Sequence, residues 1–285
     1  MVTNTEQSVA DHYTSGSLLE TILNGIKNAG KSVDSIQHED LAPLDEFHLG
    51  GREATRHFLG QMGLTREMSV LDIGCGLGGA ARFCAIEYGS ILSGIDLTQE
   101  FIETGKTLTS WLKMDDLISL KQGSALELPL EDSSFDAAYM MHVGMNIPDK
   151  AKLCRETARV LKKGGSFGIY DVMKTSETPL NYPVPWAENS DSCSIGKTEE
   201  YLQALADAGF EIQTTSSRKE FALEFFRKWK QKMSVSKSPP PLGLHLVMGE
   251  NFFEKLSNFL ENIQTRRVAP FEIFAKLPER KDGYS

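Results

Sequence analysis

Asp72, Gly74, Gly76, Gly79 and Asp96 are the residues whose types and spacing first suggest chemistry, and four of them lie within VLDIGCGLGGAARF, residues 70–83. That stretch reads as a buried strand that breaks into glycines and then becomes a helix, a turn that brings backbone close to a ligand. The glycines satisfy GxGxxG and Asp96 follows Gly74 by 22 residues, so a dinucleotide is one candidate. Asp72 shifts the balance, because a carboxylate two residues before the first glycine stands where a pyrophosphate would be repelled and a cation welcomed. S-adenosylmethionine carries a sulfonium and an ammonium but no phosphate. In that reading the Gly74–Gly79 backbone approaches its methionine part, the following helix N-terminus favours its carboxylate, and Asp96 accepts hydrogen bonds from the ribose hydroxyls. The competing readings are a bare strand-to-helix turn, and an Asp96 that merely caps the next helix beside Thr98.

Elements that could position these residues follow from the alternation of β-rich apolar runs with helical patterns, the order that produces a parallel sheet covered by helices. Strands are expected at Ser69–Ile73, Ser90–Asp96, Ile118–Gln122, Ala137–Met141, Ser166–Val172, Glu211–Ser216 and Phe271–Lys276. Seven strands suit one doubly wound α/β domain with a mostly parallel sheet. REATRHFLGQMG, GGAARFCAIEYG, TQEFIETGKTLTSWLKM, DKAKLCRETARVLKKGG and TEEYLQALADAGF place apolar residues at helical spacing between them. Two segments break the alternation. Residues 1–47 are expected to form an N-terminal helical cap, with a helix near Ser17–Ala29, and residues 217–268 a helical insertion before the last strand, leaving 48–216 and 269–278 as the ligand-binding domain.

Composition narrows the partners. The chain has 285 residues, 40% of them hydrophobic, enough for a sizeable core. A net charge of −9 argues against nucleic acid, which needs a positive surface, and favours small molecules. Cys75, Cys84, Cys154 and Cys193 lack metal-ligand spacing, so reduced thiols are expected and no metal is implied. No apolar run approaches the roughly 18 residues of a membrane span, and MVTNTEQSVADHY lacks the layout of a signal peptide, so a cytoplasmic protein without stable membrane insertion is expected. Oligomeric state stays open.

The stretches VLDIGCGLGGAARF, GIDLTQEFIE, GSALELPLEDSSFDAAYMMHV and ARVLKKGGSFGIYDV, in that order and spacing, resemble the motif series of class I S-adenosylmethionine-dependent methyltransferases over about Phe47 to Phe221. Within that superfamily the chain most resembles the small-molecule branch containing the ubiquinone/menaquinone, tocopherol, phosphoethanolamine and sarcosine/dimethylglycine methyltransferases, a likeness supported by DEFHLGGREAT and MNIPDK. The resemblance implies a Rossmann-like methyltransferase fold with S-adenosylmethionine as cofactor. It implies that Asp72, Gly74 and Gly76 hold the methionine part, that Asp96 and Leu97 hold the ribose and adenine, and that Ser124, Ala125 and Met141 complete the cofactor site. Many relatives carry an aspartate where Ser124 stands, and several place a catalytic histidine where this chain has Asn146.

His142 begins the loop after the fourth strand, at the carboxyl edge where ligands of doubly wound sheets sit, and is the candidate general base with Asn146 beside it. A satisfied core histidine is its bland reading. His48 could contact the ligand, since Gly50 and Gly51 allow close approach, or cap the helix starting near Arg52. Tyr13, in the segment that folds over the cofactor in the family, is either a ligand contact or a packing plug. In RKEFALEFFRKWKQKMSVSK, residues 218–237, Phe221, Phe225, Trp229 and Met233 recur every four residues among seven Lys/Arg and two Glu. That pattern fits an ordinary amphipathic helix, a lid closing an acceptor pocket with Phe225 and Trp229, or a membrane-surface helix. Trp186, in the proline-stiffened YPVPWAE, would form another wall. The function expected is methyl transfer to a small-molecule amine or to a prenylated or phenolic acceptor. A noncatalytic cofactor-binding domain and an NAD-linked oxidoreductase are the alternatives.

Overall fold

The computed structural model describes residues 4–235, 239–249 and 251–279. Residues 1–3 of the expected cap, and 236–238 and 250 of the expected insertion, lie outside the described residues. Strands β1 (Ser69–Ile73), β2 (Ile91–Asp96), β3 (Ile118–Gln122), β4 (Phe135–Met141), β5 (Leu161–Lys174), β6 (Glu211–Ser217) and β7 (Val268–Lys276) form one sheet in the order β3-β2-β1-β4-β5-β7-β6. The first five pair in parallel, and β7 runs antiparallel between β5 and β6. The doubly wound, mostly parallel α/β fold expected from the alternation is therefore present. β1 is buried over Val70–Ile73 because helices cover both faces of the sheet, which is why that stretch is apolar except for Asp72.

Strand ends differ from expectation where the local pattern is weakest. β7 starts three residues early, since Val268, Ala269 and Pro270 pair with Lys174, Met173 and Val172 although Pro270 has no N–H to donate. β5 starts at Leu161, which pairs with Phe135 before the register shifts and Ser166 pairs with Ala137.

The cap contains more helix than the apolar spacing indicates. α1 (Asn4–Tyr13), α2 (Leu18–Asn28) and α3 (His38–Asp45) precede α4 (Gly51–Leu59). Only α2 has a strong apolar stripe, Leu18, Ile22 and Ile26, which is buried against Leu41, Leu44, Phe101 and Leu108. α3 carries Pro43 near its end, and α1 is mostly polar, so neither declares itself in sequence. Around the sheet run α5 (Gly79–Tyr88), α6 (Gln99–Trp111), α7 (Lys150–Val160) and α8 (Thr198–Asp207). Glu100 on α6 accepts from the amides of Ser15 (2.6 Å), Gly16 (3.0 Å) and Leu18 (2.9 Å), so it satisfies donors at the start of α2 and pins the cap to the sheet layer.

Between β6 and β7 the chain forms α9 (Lys219–Val235), α10 (His245–Met248) and α11 (Phe252–Gln264). The expected four-residue stripe of α9 divides. Phe226, absent from that stripe, is the buried anchor, with Phe259 at 5.9 Å and Trp229 at 6.5 Å between ring centroids. Phe221 instead turns toward α4, where a Cβ on Gly50 would meet its ring edge, and Arg218 stacks 4.5 Å over its face. Phe225, Trp229 and Met233 are left to line a cavity. Among the described residues no helix is long and apolar enough to cross a membrane, and no group of three or more His, Cys, Asp or Glu side chains could hold a metal ion.

Candidate active site

The cavity, of about 760 Å³, opens at the carboxyl ends of β1 to β4 and extends beneath α9, α10 and α11. That size falls within the range of small-molecule sites. Its sheet end is built by the turn after β1. Gly74 (φ 73°) and Gly76 (φ 52°) adopt left-handed backbone that a side chain would strain, and Val143 lies where a Cβ on Gly74 would be. The Gly74 N–H donates to the Ile95 carbonyl at 2.7 Å. Asp96 accepts from the Gly76 N–H (2.9 Å) and from the Thr98 N–H (2.9 Å), so one carboxylate ties the glycine turn to the start of α6 while lining the cavity. Burial raises the pKa of Asp96, and those amides oppose the rise.

The two carboxylates expected around the glycines hold different positions. Asp72 lies beneath the turn, accepts from the Tyr139 hydroxyl at 3.0 Å, and does not line the cavity. Burial pushes its pKa up to about 7, and the nearby Asp96 charge adds to the rise. The helix N-terminus expected to face a ligand carboxylate is covered as well. Gly79 packs so closely on Asp45 that an added Cβ would strike the Asp45 backbone and carboxylate, and Asp45 forms a buried ion pair with Arg82. The glycine turn is thus surrounded by Asp45, Asp72 and Asp96, and the nearby guanidinium of Arg82 is committed to Asp45 and to Thr109.

Leu97, Ala125 and Met141 line the same end of the cavity, whereas Ser124 does not. The Ser124 hydroxyl accepts from the Leu126 N–H (3.0 Å) and donates to the Glu6 carboxylate, and it is Glu6, from α1, that reaches the cavity. Tyr13 lies about two turns further along the same face of α1, its hydroxyl accepting from Asn146 Nδ2 at 3.3 Å, so the cap and the loop after β4 meet across the cavity. Burial pushes the Tyr13 phenol up to about 12.

His142 and His48 form a polar corner. The His142 backbone is left-handed (φ 58°) and its amide donates to the Tyr170 carbonyl at 2.7 Å, which holds the ring 4.9 Å from the Tyr170 ring and 6.3 Å from His48. His142 Nε2 is buried and has no hydrogen-bond partner among the described residues. Burial, with a smaller contribution from His48, drives its pKa well below the ordinary 6.5, so the ring is neutral at physiological pH. His48 Nε2 lies 2.8 Å from Thr55 Oγ1, which donates onward to Glu46, and burial takes the His48 pKa down to about 4. His48 thus lines the cavity while its polar atom turns to α4, where it meets the Gly51 carbonyl (3.2 Å) and caps no backbone N–H. Glu46 also binds Arg52, which donates to His38 at 2.8 Å; burial raises the Glu46 pKa. Glu46 and Glu6 are absent from the sequence reading. DEFHLGG hints at the first, and nothing local marks the second.

The far end is apolar. Trp186, its Nε1 donating to Cys193 Sγ at 3.2 Å, sits edge-on to Phe259 at 5.1 Å, and Phe225, Phe226, Trp229, Leu244, Met248 and Phe252 complete the wall. Lys228 and Lys232 stand exposed at its rim.

Residues 71–169 match the methyltransferase domain family. Sterol 24-C-methyltransferase of Yarrowia lipolytica is 31% identical over 176 residues, 57% of this chain and 45% of its own. Sarcosine/dimethylglycine N-methyltransferase of Halorhodospira halochloris is 30% identical over 142 residues, 50% of this chain and 51% of its own. The chain spans about half the length of these curated relatives. Among solved structures, geranyl diphosphate C-methyltransferase from Streptomyces coelicolor A3(2), a complex with Mg2+, geranyl diphosphate and S-adenosyl-L-homocysteine, superposes with a TM-score of 0.68 over 96% of this chain and 98% of its own, at 18% identity. That likeness shows the fold.

Proposed function

We propose that this chain, which matches the methyltransferase domain family over residues 71–169, transfers the methyl group of S-adenosylmethionine to a small molecule with a largely apolar skeleton. The observation that carries the cofactor reading is the acidic surround of the glycine turn. Asp96 lines the cavity beside the turn, and Asp45, paired with Arg82, covers the α5 N-terminus that would otherwise receive a phosphate, so a pyrophosphate finds a carboxylate and a blocked helix end where a sulfonium and an ammonium find an acceptor. In this reading Gly74 and Gly76 let the backbone approach the methionine part, Asp96 accepts from the ribose, and Leu97 and Ala125 flank the base. Bound there, the cofactor supplies an electrophilic methyl on a positive sulfur.

The residues of the chain then have three tasks: to hold the acceptor in line with the methyl, exclude water, and take a proton where the acceptor must lose one. Alignment of this kind lowers a barrier by about 7–11 kcal/mol without a covalent intermediate. The aromatic wall under α9 and α11 supports an acceptor of isoprenoid character over a small amino acid. A carboxylate such as that of an N-methyl amino acid needs an inner cation, and the inner guanidinium of Arg52 is held by Glu46 and His38. Lys228 and Lys232 favour an anionic group at the outer end. In this reading α9, α10 and α11 act as the lid, and neutral His142, with its bare Nε2, is the group placed to accept a proton. Calorimetry tests the cofactor: S-adenosylmethionine and S-adenosylhomocysteine should both bind, and binding of NAD more tightly than either would sink the assignment.

A further inference from the structure

The geometry points to Glu6 as the residue that reads the base of the cofactor through its exocyclic amino group. This rests on the cofactor reading above. If the methionine part lies over Gly74 and Gly76 and the ribose on Asp96, the base must continue away from the glycine turn, into the slot between Leu97 and the 123–126 segment. That slot is built tightly: the Gly123 N–H donates to the Asp96 carbonyl at 2.9 Å, and Gln122 Nε2 donates to the Leu97 carbonyl at 3.0 Å. Leu97 and Ala125 offer apolar walls for the two faces of a ring.

At the edge of the slot the sequence offers only Ser124, and the structure turns that hydroxyl away from the cavity, toward Glu6. Glu6 is 7% exposed, lines the cavity, and accepts from Ser124 Oγ, which fixes the carboxylate at that edge. Its helix is oriented by independent contacts. Glu6, Val9 and Tyr13 share one face of α1 at helical spacing and all line the cavity. Tyr13 is hydrogen-bonded to Asn146, and His12 Nε2 approaches the Pro185 carbonyl at 3.4 Å. α1 therefore crosses the cavity with a carboxylate at the base end. An ionised carboxylate only accepts hydrogen bonds, so it selects a ring edge that donates, as the 6-amino group of adenine does. The same contact couples cofactor binding to docking of α1, since the base and Ser124 share one carboxylate.

The test is calorimetry on the full chain with S-adenosylhomocysteine and with its analogue lacking the 6-amino group. Wild type should prefer the adenine ligand by about tenfold or more, the scale of one charge-assisted hydrogen bond. E6Q, which keeps an acceptor without the charge, should weaken that preference, and E6A should abolish it with little change in affinity for the desamino analogue. Adding S124D to E6A should restore the preference by returning a carboxylate to the same edge. An E6A variant that loses affinity for both ligands equally would overturn the proposal, because Glu6 would then only hold α1 in place. So would a preference unchanged in E6A. Failure of wild type to bind either ligand would instead overturn the cofactor reading itself, and this inference with it.

Discussion

Phe225, Phe226 and Trp229 lie within five residues of one helix and all reach the cavity wall, but Phe226 is buried while the other two are half-buried, so replacing them separates packing from ligand contact. Phe226 is 2% exposed and packs edge-on to Phe259, Phe225 and Trp229. Phe226→Ala should cost about 3–5 kcal/mol, the range for deleting a buried aromatic ring, or roughly 6–20 °C in melting temperature for a domain of this size. Phe225 and Trp229 are half-buried and face the cavity, so F225A/W229A should cost less stability, about 1–2 kcal/mol for each ring. Each lost contact should also weaken an apolar ligand by about 5- to 30-fold, the same free energy read as affinity. The assay is thermal melting together with titration of C10 to C20 isoprenoid alcohols, and of S-adenosylhomocysteine as a control. The double variant should keep cofactor affinity within about twofold, because Gly74, Gly76, Asp96 and Leu97 stand at the opposite end of the cavity. Equal loss of isoprenoid and cofactor binding in F225A/W229A, or an F226A variant as stable as wild type, would refute this division of α9.

Two further predictions concern the histidines. If His142 accepts the proton, H142A should lower turnover by about 10²–10⁴-fold; the wild-type rate should stay level down through pH 6.5, because burial keeps the ring neutral there, and an acid limb at or above pH 6.5 would count against it. His48, whose pKa falls to about 4 from 6.5, binds fewer protons folded than unfolded between those values, so its contribution to stability is lost as pH drops through that window, by about 3 kcal/mol. Asp72, raised to about 7, binds more protons folded than unfolded and acts in the opposite sense, so the measurement is the difference in urea midpoint between wild type and H48Q across pH 4–7. Parallel curves for the two proteins would show that His48 has no such role.

What the sequence disclosed were features set by local period and local turn chemistry. Ser69–Ile73 and Ile118–Gln122 match observed strands for different reasons: the first is buried on both faces and shows itself as an apolar run, whereas the second lies at the sheet edge and alternates buried Ile118 and Leu120 with exposed Ser119 and Lys121. Gly74, Gly76 and Asp96 come together because strand ends in a parallel sheet are forced to one edge. What escaped depends on contacts between distant segments. Glu6 meets Ser124 across 118 residues of chain from a helix with almost no apolar stripe. Asp45 over the α5 N-terminus depends on where α3 docks, and α3 is hidden by Pro43. A strict four-residue row along Phe221, Phe225, Trp229 and Met233 drifts around the cylinder, because a helix turns every 3.6 residues, and the buried anchor of α9 is Phe226, off that row. His142 is legible in sequence as a candidate base, but its burial and the lowered pKa that follows are not, since burial belongs to the fold.

Methyl transfer to an apolar acceptor can be read out by incubating the protein with S-adenosylmethionine labelled in its methyl group and a metabolite extract. The label is then partitioned between water and organic solvent, and the labelled product identified by mass. Label is expected in the organic phase, on a product one methyl heavier than an apolar precursor, and should be lost in D96A. Label confined to a water-soluble amine such as a methylated amino acid would contradict the acceptor class, and no transfer at all by a protein that binds the cofactor would contradict methyl transfer itself.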